Sequence, residues 1–279
     1  MTQNHSIQNF PLVSVIIPAH NAGDFIIETL LSVINQTYQN LEIIVIDDGS
    51  QDQTPQIVKN FMKKDSRIML LQQFNQGVAD ARNLGIKNAK GEYIAPLDAD
   101  DIWYPKKIEK QVKCFLEADN CVGLVYTWSL EIDKEGFLTG GQDVVTEIEK
   151  NIFLPLIFIN LINTASTPLI RRSCLEVVGN YSDDLKQQNA QGCEDWELYL
   201  RIALHYQFRL VPDVLVGYRR VVGSMSRNHD AMAKSMLLTL NKIKEKYSNI
   251  SHYFLSWSSG NFYRYSNPKS VIPPFNSLL

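Results

Sequence analysis

Residues 41–50 read Leu-Glu-Ile-Ile-Val-Ile-Asp-Asp-Gly-Ser, and this stretch decides the fold. The run Ile43-Ile44-Val45-Ile46 is β-branched throughout and shows no apolar/polar alternation, so it predicts a strand buried on both faces, as in a parallel sheet. It stops at two carboxylates, a glycine and a serine. Thr54-Pro55 then predicts a helix, with Thr54 at the N-cap and proline at the first helical position.

The same grammar holds on either side. Upstream, Val13-Ser14-Val15-Ile16-Ile17-Pro18 predicts a buried strand. Asp24 is expected to cap the next helix, which places Ile26, Ile27, Leu30, Val33 and Ile34 on one face. Downstream come a short strand at Ile68–Leu71, a helix from Gly77 to Lys90 closed by Gly91, and a strand at Tyr93–Leu97 that runs into Asp98-Ala99-Asp100-Asp101. Strands alternating with helices imply a three-layer α/β/α unit with a mostly parallel central sheet and a Rossmann-like nucleotide-binding half. After Pro105 the rhythm changes. A helix with Ile108, Val112, Phe115 and Leu116 inward leads to a long strand at Val122–Ile132, a turn at Lys134-Glu135-Gly136 and a return strand from Phe137-Leu138. Strands at Thr167–Ile170, Phe208–Val211 and Val214–Arg219, with helices at Glu194–His205 and Asp230–Tyr247, complete a mixed second half. No internal repeat is evident.

Composition narrows the function. The chain has 279 residues, 45% hydrophobic and 20% charged, which is enough to bury a core. Lys and Arg number 27 against 30 Asp and Glu, a net charge of −3 without the basic stripe that nucleic-acid binding requires. Cys114, Cys121, Cys174 and Cys193 form no C-x-x-C pair, which argues against a zinc ribbon and suits reduced thiols in the cytoplasm. The polar stretch Met1–Asn9 lacks a secretory apolar region. Ile152–Ile162 is interrupted by Pro155 and Asn160 and falls short of the ~20 residues of a membrane span. Phe153–Ile162 therefore reads as a buried helix, with contact to a lipid-linked acceptor or a membrane surface as the other reading.

In an open α/β sheet, ligands bind outside the carboxyl ends of the strands. Two strands here end in acids, Asp47-Asp48 and Asp98-x-Asp100, and neither pair has a Lys or Arg beside it in sequence. Carboxylates gathered in one crevice need a cation. Oxygen ligands select Mg²⁺ or Mn²⁺, and phosphate oxygens commonly complete the shell. Each motif alone also suits a turn or a helix cap. Their recurrence at matching strand ends points to a metal and phosphate site.

Residues 13–22 (Val-Ser-Val-Ile-Ile-Pro-Ala-His-Asn-Ala), 41–50, 77–86 (Gly-Val-Ala-Asp-Ala-Arg-Asn-Leu-Gly-Ile) and 91–101 (Gly-Glu-Tyr-Ile-Ala-Pro-Leu-Asp-Ala-Asp-Asp) resemble, in order, the signatures of family 2 glycosyltransferases. The resemblance spans residues 12 to about 226 and implies the A-type nucleotide-sugar-binding fold. It implies a catalytic domain over 12–226, with a nucleotide-sugar half at 12–104 and an acceptor half at 105–226. Residues 1–11 are then a tail, and 227–279 a C-terminal helical extension and tail. Pro18, His20 and Asn21 would cradle the nucleotide. Asp48 would accept a hydrogen bond from the base, with Gly77 and Arg82 lining the pocket; this supports uridine without excluding guanosine or thymidine. Asp98 would lie near the ribose, and Asp100 would bind the divalent metal, Mn²⁺ or Mg²⁺. Arg82 paired with Asp80 or Glu92 on the surface is the alternative.

Gly192-Cys193-Glu194-Asp195-Trp196 is similar to the family's Glu-Asp motif, which makes Asp195 the general base of an inverting transfer from a nucleoside diphosphate sugar, UDP-linked by preference, to a saccharide or lipid-linked acceptor. On spacing alone, Glu194-Asp195 would be first-turn acids complementing the helix dipole. Trp103 and Trp196 read as core residues. Val221 stands where many relatives carry a histidine near the metal, so His229, Ser224 or Ser226 would have to reach the phosphates instead. Arg219 and Arg220 suit either a diphosphate clamp or a solvated edge strand. Two competing readings differ in what they need. A sugar-phosphate nucleotidyltransferase would carry a Gly-rich loop with Arg after the first strand, and a non-catalytic Mg²⁺-binding module would leave Asp98, Asp100 and Asp195 without a role.

Overall fold

The computed structural model describes residues 10–143, 152–188, 190, 192–221, 228–246 and 258. The nucleotide-side half runs β1 (Val13–Ala19), α1 (Ile26–Ile34), β2 (Leu41–Asp48), α2 (Thr54–Met62), β3 (Ile68–Gln73), α3 (Val78–Asn88) and β4 (Tyr93–Pro96). There follow β5 (Ile102–Trp103), α4 (Lys107–Leu116), β6 (Val122–Ile132), β7 (Leu138–Asp143), α5 (Phe153–Phe158), β8 (Leu169–Arg171), α6 (Arg172–Val178), α7 (Asp184–Gln187), α8 (Glu194–Ala203), β9 (Gln207–Arg219) and α9 (His229–Lys246).

Among the described residues, one sheet carries nine strands, in the order β3-β2-β1-β4-β8-β6-β9-β5, with β7 paired to β6. The β3-β2-β1-β4 block is parallel, as its unalternating apolar strands require. Beyond it β8 is antiparallel to both β4 and β6, β9 runs parallel to β6, and β5 and β7 are antiparallel edges. One side of β6 is shared: Leu124 and Val125 face β8, while Ser129, Leu130 and Ile132 face β7.

Strand alternation feeds two cores. Val13, Val15, Ile17, Ile43 and Val45 meet α1, α2 and α4 on one face of the sheet. Ile16, Ile44 and Ile46 meet α3, α5, α6, α8 and α9 on the other. Gly85 lets α3 lie flat, because a Cβ there would sit 2.6 Å from Ile16 Cγ2 and 2.7 Å from Ile46 Cδ1.

Several expectations need correction. Phe25, not Asp24, precedes α1, and no side chain caps it. Thr54 is the first helical residue of α2, and its hydroxyl instead accepts the Ala22 N–H, joining the β1–α1 and β2–α2 loops. Leu116 is 62% exposed, because α4 ends there and its inward stripe stops at Phe115. The two strands expected at 208–219 are one, β9, whose register against β6 shifts around Thr127–Ser129. The helix expected at Glu194–His205 is α8, ending at Ala203. The short elements β5, α6 and α7 have no counterpart in the sequence reading. Residues 1–9, Ser224 and Ser226, and most of the C-terminal tail lie outside the described residues.

Candidate active site

The first acid pair ends β2 in parallel register with β1 and β3, and both carboxylates are buried. Asp47 is structural: it accepts the Ser50 N–H at 3.0 Å and Gln72 Nε2 at 3.0 Å. Asp48 organises the loop after β3. Its Oδ1 accepts Gln73 Nε2 and the Gln76 N–H, each at 2.8 Å, and its Oδ2 accepts the Gly77 N–H at 2.8 Å. A carboxylate offers about four acceptor positions, so one on Oδ2 is left for a ligand. Gly77, at φ +95, turns the chain into α3, a backbone shape that a side chain would strain.

Pro18 pairs in register with Ile46 inside the sheet. His20 and Asn21 form the exposed lip beyond β1. His20 Nδ1 is 2.9 Å from the Asp48 carbonyl oxygen, and Asn75 Nδ2 is 3.2 Å from the same ring nitrogen. Asn21 takes a positive φ of 48, donates its N–H to Ser50 Oγ and accepts the Gln51 N–H, so the loops after β1 and β2 brace each other.

The second acid group follows β4. Arg82, buried on α3, donates from Nη2 to Asp98 Oδ1 at 2.6 Å, which settles its partner as Asp98 rather than Asp80 or Glu92. Asp101 is fully buried and accepts Ser166 Oγ (2.5 Å), Thr164 Oγ1 (3.1 Å) and the Arg219 N–H (2.9 Å), so it anchors the strand end rather than facing a ligand. Asp100 differs. Burial and the neighbouring Asp98 push its pKa up to about 6, Arg219 opposes this, and among the described residues no other residue donates to its carboxylate. A carboxyl to which no cationic side chain donates directly fits a hard cation held by one or two protein oxygens, with a diphosphate supplying the others. No three His, Cys, Asp or Glu side chains among the described residues converge as a ready-made cage.

Asp195 stands in the first turn of α8, partly exposed. Burial pushes its pKa up to about 7; Arg82 and a 2.7 Å hydrogen bond from the Trp196 N–H to Oδ1 pull the other way, and Glu194 and Asp98 add to the rise. Glu194 is buried and accepts the Gly192 N–H. The structure thus brings Asp98, Arg82 and Asp195 into one electrostatic group, with Asp100 beside Asp98. Tyr181 lies under Arg82 with the guanidinium carbon 5.1 Å from its ring centre, a neighbour that nothing in the sequence signalled.

Trp103 and Trp196 are buried, donating to the Ser166 and Leu156 carbonyl oxygens, so neither offers a sugar platform. Arg219 is neither a solvated edge residue nor a phosphate clamp. Its side chain is fully enclosed, donating to the carbonyl oxygens of Asp100, Asp133 and Lys134 and to Glu28 Oε2. Arg220 pairs with Glu131.

Comparison with known proteins fits this geometry. An uncharacterized glycosyltransferase of Haemophilus influenzae is 32% identical over 256 residues, covering 88% of this chain and 76% of the relative. One from Rickettsia bellii is 32% identical over 244 residues, but this chain spans only 32% of that relative's length. Among solved structures, S. aureus TarS 1-349 in complex with UDP-GlcNAc superposes with a TM-score of 0.68 at 19% identity, covering 93% of this chain and 73% of that one. The mannosyltransferase PcManGT from Pyrobaculum calidifontis, in complex with GDP-Man and Mn²⁺, gives a TM-score of 0.62 at 20% identity, covering 97% of this chain and 79% of that one. The profile of the family described as Glycosyl transferase family 2 matches residues 14–177, more than half of the sequence. The chain therefore belongs to glycosyl transferase family 2, a family of glycosyltransferase enzymes, and has its A-type α/β fold.

Proposed function

We propose that this chain is a metal-dependent inverting glycosyltransferase that moves a sugar from a nucleoside diphosphate donor, preferentially a UDP-sugar, to a saccharide or lipid-linked acceptor. The observation that carries the reading is Asp195: a partly exposed carboxyl tuned to about 7 at a helix start, sharing its field with Asp98 and Arg82 beside the candidate metal ligand Asp100.

Asp195 Oδ1 is engaged by the Trp196 N–H, which leaves Oδ2 to accept the acceptor hydroxyl's proton as that oxygen attacks the anomeric carbon. The bond from that carbon to the diphosphate oxygen breaks in the same displacement, so configuration inverts. A Mn²⁺ or Mg²⁺ held by Asp100 would supply positive charge to the departing diphosphate. Arg82 fixes Asp98 and keeps the Asp195 carboxylate from rising further toward its neutral form. On the donor side, Asp48 Oδ2 accepts a base N–H at the lip made by His20, Asn21 and Gly77, with the buried Pro18 in the sheet beneath it. The domain division at 104/105 belongs to this reading, the donor lying over 12–104 and the acceptor over 105–226. TarS with UDP-GlcNAc and PcManGT with GDP-Man support a nucleoside diphosphate sugar while differing in the base.

The test is Mn²⁺-dependent release of UDP from UDP-sugars by the full chain and by Asp195→Asn. The variant should still bind donor while turnover falls by about 10²–10⁴-fold, the usual weight of a general base. Undiminished turnover would remove Asp195 from the mechanism. Absence of nucleotide release from every donor would end the proposal.

A further inference from the structure

Lys186 belongs to α7 in the second half of the chain, yet its side chain lies across the first half's nucleotide lip. Its Cδ and Nζ sit 2.8 and 3.1 Å from where a Cβ on Gly77 would be, and Nζ donates to Asn75 Oδ1 at 3.4 Å. Asn75 in turn reaches His20. Lys186 forms no salt bridge among the described residues, although Asp80 senses its charge. Its ammonium rests on the same glycine whose N–H donates to Asp48 Oδ2.

The placement is built rather than incidental. Leu185 and Ala190 are fully buried on either side, and the Ala190 N–H closes back on the Leu185 carbonyl oxygen at 2.8 Å. From α9, Lys242 Nζ holds Asp184 Oδ2 at 2.7 Å, and Lys234 Nζ holds the Gln188 carbonyl oxygen at 2.6 Å. The segment carrying Lys186 is therefore tied to α9 on both sides of the lysine.

We propose that Lys186 determines nucleobase specificity, its ammonium donating to the base carbonyl oxygen that adjoins the ring N–H taken by Asp48. This rests on the donor reading above and deepens it. One acceptor and one donor side by side match the lactam edge of uracil, thymine or guanine, where a ring N–H adjoins C=O. Cytosine and adenine held in the same pose present the reverse, a ring nitrogen lone pair toward Asp48 and an amino group toward Lys186. Each leaves a charged group unsatisfied, the costly outcome for a binding site. Asn75 Oδ1, the present partner at a long 3.4 Å, is readily exchanged for such an oxygen.

Calorimetric titration of the full chain, in Mn²⁺, with UDP, GDP, CDP and ADP tests this. The wild type should prefer UDP and GDP. Lys186→Met should weaken those two by about tenfold, one charge-assisted hydrogen bond, and leave CDP and ADP within about twofold. Lys186→Arg should retain the preference, and unchanged ligand-free melting temperatures exclude misfolding. Equal weakening of all four would make Lys186 a phosphate contact and overturn the assignment, as would an unaltered UDP-to-CDP ratio. If the wild type binds none of the four, it is the underlying donor reading that fails.

Discussion

Asp195 is asked to be charged where its surroundings prefer it neutral. Its pKa of about 7 exceeds the ordinary 3.8 because of burial, so between those pH values the folded chain binds a proton that the unfolded chain does not. Stability from this residue is therefore present at low pH and lost as pH rises toward and through 7, whereas activity, in which the proposed base role needs the carboxylate, runs the opposite way. The expected kcat/KM profile climbs with a limb near pH 7. Asp195→Asn should melt higher than wild type at pH 8, with the gap much narrower at pH 5, as thermal melts at both values will show. Arg82→Leu should move the activity limb to higher pH, since the guanidinium is what restrains the rise. A second buried group follows the same logic with the opposite charge. Lys107 is fully enclosed, donating to Gln111 Oε1 at 2.8 Å and lying 4.0 Å from the Trp103 ring centre, and burial drives its pKa well below 10.5. The unfolded chain takes up a proton there that the fold resists, so stability falls as pH drops below the ordinary lysine value. Lys107→Met should flatten the rise in melting temperature between pH 7 and pH 9.5.

At the scale of elements, the nucleotide-side half was legible because β1, β2 and β4 are buried along nearly their whole length and read as unbroken apolar runs, while the half-exposed edge strand β3 still shows its apolar Ile68–Leu71: all four appear at or within two residues of their expected positions. The acids at their ends were legible for the same reason. The apolar run of β2 ends at Ile46, and Asp47 and Asp48 are its last two paired residues. What could not be read is what depends on contacts distant in sequence. β5 is two residues long and exists because Ile102 and Trp103 pair with Gly217 and Val216 of β9. Arg219 suited either a diphosphate clamp or a solvated edge, yet its guanidinium is taken by the carbonyl oxygens of Asp100, Asp133 and Lys134 and by Glu28, none of them near it in sequence. Tyr181 and Lys186 carry no local signal, because their partners lie about a hundred residues upstream. α3 shows how tightly such elements are fitted. Alanine is the better helix former, but at Gly85 its methyl would press on Ile16 and Ile46. Gly85→Ala should cost about 1–3 kcal/mol by overpacking, measurable as a lower urea midpoint at unchanged slope.

For the whole molecule, the two halves of the sheet meet where β4, after its parallel neighbours, pairs with antiparallel β8, and Asp98, just past β4, is tied across that seam by its N–H to Ser166 Oγ, just before β8. Donor and metal binding should therefore stabilise the fold as a unit. Saturating UDP with Mn²⁺ is expected to raise the melting temperature, EDTA to reduce the gain, and Asp100→Asn to abolish only the metal-dependent share, by differential scanning fluorimetry. α9 is part of the same unit, since Met236, Leu240 and Ile243 bury into the core that holds α5 and α8. It also grips the stretch from Ser182 to Cys193, through Lys242, Lys234 and the Met232 carbonyl oxygen and sulfur. That stretch contains Lys186, the proposed base reader, and ends two residues before Asp195, the proposed proton acceptor. On those proposed roles, exchanging it together with α9, as one cassette, changes donor reading and acceptor activation at once while leaving the strands untouched, so that new substrate pairings are reachable by recombination rather than by rebuilding the sheet.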